Sequence, residues 1–181
     1  MVKLDLWQFV STDYLLTPRL RGPTCRFVSP LCNYDEICVD MCEIPGYKCV
    51  RWNVALGAEM QSSGQATKTR APKFAVDGKI DTWYTSSLSK NRWIRVAFDK
   101  VYMVEKVILY NVPNSNHRKH MRNINVRVLK QFCEKNINMA NQMEKRVNCR
   151  PPRAGRLVTV EKITNDASES LVVAEIVVMV L

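Results

Sequence analysis

The chain predicts an all-β fold, an antiparallel jelly-roll sandwich carrying a small cysteine-rich N-terminal extension. Two observations carry that expectation. From about Arg51 onward, short apolar segments alternate with polar residues at period two and are split by polar turns. Long helical patterns are almost missing, and many short strands joined by turns are the signature of sandwiches and jelly rolls. A third observation concerns the cysteines: five of the seven, Cys25, Cys32, Cys38, Cys42 and Cys49, crowd the first fifty residues.

Taken in order, the elements read as follows. Residues 1–50 form the cysteine-rich extension, with Pro18, Pro23, Pro30 and Pro45, and residues 51–181 form the sandwich. Within the extension, Tyr34 to Cys42 is the best helix candidate, because a helix there puts Cys38 and Cys42 one turn apart on one face. Asp77-Gly78 marks a turn, and Trp83 and Trp93 offer large apolar surface to a core. Ile94, Val96 and Phe98 alternate with Arg95 and Ala97 as a half-buried strand. Val104 to Tyr110 reads as a more fully buried one. Ile124, Val126 and Val128 alternate with Asn125 and Arg127, and Val158 and Val160 flank Thr159. The run from Leu171 to Leu181 closes the chain as a buried strand, interrupted by Glu175 and too short to span a bilayer as a helix.

Composition narrows the function classes. The apolar share is 46%, enough for a sizeable core in 181 residues, and the net charge of +10 favours acidic partners. The cysteine spacings are longer than those of zinc sites, and both histidines lie far from them, so disulfides and an extracellular, oxidising compartment are expected. The N-terminus, MVKLDLWQFVSTDYLL, is a poor signal peptide, so a secreted chain is expected to be part of a longer one. The chain shows no paired carboxylates of glycosidase type, no G-x-S-x-G, no P-loop and no Cys–His pair in context, so no enzyme is expected. Nucleic acid is not an expected partner either, since the charge comes without a recognised motif.

One loop gathers the unusual chemistry. NVPNSNHRKHMRN, Asn111 to Asn123, holds both histidines, His117 and His120, among Arg118, Lys119 and Arg122. It reads either as a solvated cationic loop or as a site for an anion. Glu175 is the second odd residue: a carboxylate inside LVVAEIVV must point outward or meet a cation.

From Asn53 six motifs follow one another: NVALGAEMQSSG, KFAVDGKIDTWYTSS, NRWIRVAFDKVYMVEKVILYN, MRNINVRVL, CRPPRAGRLVTV and LVVAEIVVM. In that order they resemble the fucose-binding (F-type) lectin domain, a relative of discoidin domains within the galactose-binding-like superfamily. The resemblance implies a jelly roll whose loops at one end hold a sugar beside a structural calcium. It places calcium ligands on Asp77, Ser87 and Glu175, while two asparagine ligands of the pattern fall on Phe74 and Lys79. Lys79 could instead neutralise Asp77 and Glu175 itself. The sugar-binding places fall on Lys90, on Pro113 with Ser115, and on His120, so the arginine and aspartate that fix vicinal hydroxyls are replaced.

What is implied is a non-catalytic lectin-like module of altered specificity, with Lys90, Arg118, Lys119, His120 and Arg122 facing an acidic or sulfated glycan. A discoidin-like adhesion domain for protein or anionic lipid is the alternative, as is a structural domain that has lost sugar binding. Glycans or glycoproteins are the implied partners, and membrane contact would run through glycans or lipid headgroups. A homo-oligomer would add strength by multivalency. The cysteine just before GRLVTV is common in this family, and a Cys133–Cys149 bridge would contribute about 3 kcal/mol. CVDMCEIPGYKC resembles the helix and strand of a PAN/apple module, which implies Cys42–Cys49, with Cys38 joined to Cys25 or Cys32.

Overall fold

The computed structural model describes the backbone of residues 36–40 and 47–51, and residues 53–181 in full except Lys90 and Ala167. The chain divides into two compact units, Met1–Trp52 and Asn53–Leu181.

In the first unit, β1 (Glu36–Asp40) pairs antiparallel with β2 (Tyr47–Arg51). The helix expected over Tyr34 to Cys42 is therefore wrong for its central residues. Ile37, Cys38 and Val39 form an apolar, partly β-branched run that fits a pleated strand as well as one helical turn, and strand pairing decides between them. The register sets Cys38 opposite Cys49. Cys25, Cys32 and Cys42, and with Cys42 the expected Cys42–Cys49 bridge, lie outside the described residues. The apple-type resemblance called for a helix where a strand stands.

The second unit is an all-β antiparallel sandwich. Its main sheet runs β10 (Glu175–Val180), β5 (Asn91–Tyr110), β8 (Glu144–Ile163), β6 (Ile124–Val128), β7 (Gln131–Ile137), with β3 (Glu59–Ser62) also on β5. A small sheet pairs β4 (Tyr84–Thr85) with β9 (Val172–Val173).

The two long strands make the sandwich. Straight, the 20 residues of β5 would span about 66 Å, against a radius of gyration of about 14 Å for a domain of this size. Both β5 and β8 bend instead, and their register breaks between Ala97 and Tyr102. One arm of β5 pairs Asn91–Ala97 with Leu157–Ile163; the other pairs Tyr102–Tyr110 with Glu144–Gly155. Side chains from both arms, Ile94, Val96, Val104, Val107 and Leu109, enter one buried core together with Val126, Val147, Val160 and Ile176. Gly155 lies at the bend, where a Cβ would stand 2.4 Å from Val128 Cγ1, so only glycine allows that approach. Cys133 of β7 and Cys149 of β8 are joined by a disulfide, with Cα atoms 4.4 Å apart.

The period-two expectation holds for the alternate apolar positions, which are buried. It fails at two of the intervening ones: Asn125 and Thr159 are buried as well. Asn125 accepts the Asn136 amide at 3.0 Å, and Thr159 Oγ1 accepts from Arg95 Nε at 3.1 Å, so both are hydrogen-bonded. Trp83 and Trp93 are half-buried and outside the main core, contrary to expectation; Tyr84 and Phe98 are buried there instead, the Tyr84 hydroxyl donating to Gly64 O at 2.6 Å.

Candidate functional site at the loop end

Because β5 and β8 fold back on themselves, their four ends meet opposite the bend, and the connecting loops gather there. Residues 111–123 tie the end of β5 to the start of β6. Asn111 organises this crossing: its buried amide donates to the carbonyls of Arg118, Met139 and Gln142, and its Oδ1 accepts the Val112 amide. A short helix, α1 (Ser115–Arg118), follows Asn114, whose side chain accepts from the Asn116 amide at 2.9 Å. The buried Met121 then plugs the loop into the core.

The underside of the loop rests on a cation that sequence reasoning missed. Lys162 is fully buried, pairs with Glu169 at 2.9 Å, and donates to the carbonyls of His120 and Arg122. Burial lowers its pKa, and the hydrogen bond and charge of Glu169 oppose that fall. Glu169 is correspondingly held below the usual carboxylate range, first by its hydrogen bond from Lys162. Arg92, directly opposite Lys162 on β5, is buried too and donates to Asp166 O at 3.0 Å. Period two did place Arg92 and Lys162 on the core face of their strands; that was the available signal.

These partners redistribute the expected basic rim. Arg122 lies 3.6 Å from Glu169 and is partly neutralised. Arg118 is half-buried and donates to Met143 Sδ, while Lys119 is exposed. His120 is half-buried with Nδ1 lacking a partner, and burial, then Lys162, pushes its pKa down. It therefore resists the charge expected of it in mild acid. Lys90 lies outside the described residues.

A second grouping was not foreseen. Arg70, from a short 3-10 turn, lies over the Trp83 ring with its guanidinium carbon 3.3 Å from the centroid. The His117 ring stands 6.2 Å from Trp83 at an interplanar angle of 46°. Trp83 packs on a small apolar cluster of Val112, Val172 and Ala174, and its Nε1–H is buried without an acceptor. No spacing rule links Arg70, Trp83 and His117; only the loop crossing joins them.

Glu175 starts β10 opposite Tyr110, 3% exposed, and neither carboxylate oxygen has a hydrogen-bond partner. Burial raises its pKa to about 8; the neighbouring negative charge of Asp77 adds to the rise, while the amides of Gly78 and Asp77, close by but outside hydrogen-bond geometry, temper it. Asp77 itself accepts from Thr82 Oγ1 at 2.8 Å and from the Lys79 amide at 3.0 Å. The turn between them needs Gly78, at φ 79°. The Lys79 side chain is exposed. Ser87 sits against Gly64 through an amide hydrogen bond of 3.3 Å and makes no hydrogen bond to either carboxylate. Among the described residues no three His, Cys, Asp or Glu side chains form a metal-binding group. The buried, unpaired oxygens of Glu175, beside the hydrogen-bonded carboxylate of Asp77, nevertheless fit a hard cation completed by backbone carbonyls.

No protein-family profile matches the chain, and no curated protein matches it. Solved structures do. The lectin domain of Lectinolysin, complexed with Lewis b antigen, is 27% identical with a TM-score of 0.63, covering 71% of this chain and 96% of that one. A fucose-binding module of Streptococcus pneumoniae is 19% identical with a TM-score of 0.62, covering 71% and 95%. A family 32 carbohydrate-binding module from C. perfringens, in complex with galactose, is 12% identical with a TM-score of 0.57, covering 66% and 91%. Among the described residues no helix is long and apolar enough to cross a membrane. The sandwich unit thus has the galactose-binding, discoidin-like jelly-roll fold that these sugar-binding modules share.

Proposed function

We propose that the sandwich is a non-catalytic, extracellular lectin-like module that binds glycans at its loop end. The observation that carries this reading is the Arg70–Trp83–His117 group: a half-buried indole with a cation on its ring and an unsatisfied N–H, set among loops. Aromatic faces and edges suit the C–H side of a sugar ring, and Arg118 and Lys119, which follow His117 in the chain, favour an acidic or sulfated substituent. Ordinary fucose recognition is not the reading, because Pro113 and Ser115 cannot supply the arginine–carboxylate pair of the F-type pattern. Calcium would be held by Asp77 and Glu175; it would neutralise two adjacent carboxylates and stiffen the turn that precedes Trp83.

The test is a glycan array of fucosylated, sulfated, sialylated and neutral glycans, probed with the clustered intact chain at low and high salt, with and without calcium. Binding to acidic glycans that falls with salt and is lost in Trp83→Ala and Arg118→Gln supports the reading. Salt-resistant binding to fucose would replace the specificity. Binding to nothing, with the variants and wild type folded alike, would reduce the protein to a structural domain.

A further inference from the structure

The outer face of the sheet carries a groove that the loop-end site does not use. Two adjoining cavities of about 450 and 470 Å³ share Leu129, Ala154 and Leu157. The register explains their lining. Gln61, Arg95, Thr159 and Arg127 lie side by side on β3, β5, β8 and β6, and Ala97 with Leu157 forms the next row. The floor is apolar, and Val101 (61% exposed) and Leu129 (44%) stand open at its margin.

The first cavity is lined by Arg95, Arg127 and Lys130 and by no carboxylate. Arg127 is partly neutralised by Glu161, 2.9 Å away. Arg95 is different. Its guanidinium carbon lies 4.7 Å from the Trp93 ring centroid, and its Nε donates to the buried Thr159 hydroxyl. Stacking and this bond fix the plane of the group and leave both terminal nitrogens, with no ion pair to a carboxylate among the described residues. A held guanidinium fork is matched to a carboxylate or a sulfate.

We infer that this groove is a second binding site, for a saccharide unit carrying a sulfate or carboxylate. The anion meets Arg95 and Lys130, the ring lies on Ala97, Leu157 and Leu129, and its hydroxyls meet Gln61 and Gln131. An extended peptide fits less well. Peptides laid along sheets pair with an edge, whereas here the floor is the middle of the sheet and its backbone is already paired. An acyl chain would leave the polar rim unused.

Titration calorimetry with the intact chain tests this, using sulfated lactose and sialyllactose, with lactose, free sulfate and phosphatidylserine vesicles as comparisons. At least one acidic saccharide is expected to bind more tightly than lactose or sulfate alone. Arg95→Gln is expected to weaken it roughly tenfold or more, with Arg95→Lys intermediate because charge remains without the fork. Lys130→Glu, an exposed change that spares the packing, is expected to weaken it too. Trp83→Ala, which disables the loop-end site, is expected to leave this binding in place, so failure of one site is distinguishable from failure of the other. Unchanged binding in Arg95→Gln and Lys130→Glu overturns the inference. So does equal affinity for free sulfate, an ion only, or a preference for vesicles, which would make the face a lipid site.

Discussion

Replacing Glu175 by Gln tests whether the buried carboxylate is kept for a cation. In the folded chain its pKa is raised from 4.5 to about 8, chiefly by burial. Between those values the folded form holds a proton that the unfolded chain has lost, so stability falls as pH rises through this window. The whole gap corresponds to roughly 5 kcal/mol, an upper figure because relaxation and water entry soften it. His120, held below its ordinary 6.5, acts in the opposite sense in mild acid, since the folded chain resists its protonation. The informative range is therefore pH 6.5 to 8, where Glu175 alone is worth roughly 2 kcal/mol.

Urea denaturation across that range, in chelator, is expected to show wild type losing about that much while Glu175→Gln stays flatter. Calcium at about 100 times its dissociation constant should restore about 2.7 kcal/mol to wild type and little to the variant. Equal pH slopes for the two proteins in chelator would refute the account of a buried, unpaired carboxylate. An equal calcium response would refute Glu175 as a ligand.

Other outcomes follow from the same geometry. Lys162→Met removes the cation under the loop, leaving Glu169 with only the more distant Arg122 and taking a donor from the carbonyls of His120 and Arg122; a loss of about 3 kcal/mol in denaturation, the low end for a broken buried pair, is expected. Glu169→Gln should act in the same direction but less, because Glu169 is 18% exposed and water can reach it. His120 is expected to titrate below 6.5 by NMR, its own contribution to stability falling as pH drops below that value against the opposite contribution of Glu175, and Lys162→Met should raise its pKa by removing a repelling charge. Replacing Cys133 and Cys149 together by Ala should cost about 3 kcal/mol, read by denaturation with and without reductant in wild type.

Much of the sandwich was legible in the sequence because a strand's side chains alternate and one face must be buried. Ile94, Val96, Ile124, Val126, Val158 and Val160 announced that face, and Glu175 announced itself as a charge out of place. The order of motifs, read as a resemblance, carried the jelly-roll class, and the cysteine before GRLVTV pointed to the Cys133–Cys149 bridge. Pairing over long separations was not legible. Cys38 stands opposite Cys49 in a hairpin because strand pairing outweighs a weak helical pattern at Tyr34 to Cys42. Lys162 neutralises Glu169 beneath a loop forty residues earlier, which turns a run of five basic side chains into a partly compensated crossing. Arg70, Trp83 and His117 meet only because β5 and β8 bend and bring their ends together. The same bend spreads Arg95, Arg127 and the apolar floor across one outer face. Local pattern determines which face of each strand is buried; which faces and loops then become neighbours is decided by the folding of the long strands, through contacts between residues far apart in the chain.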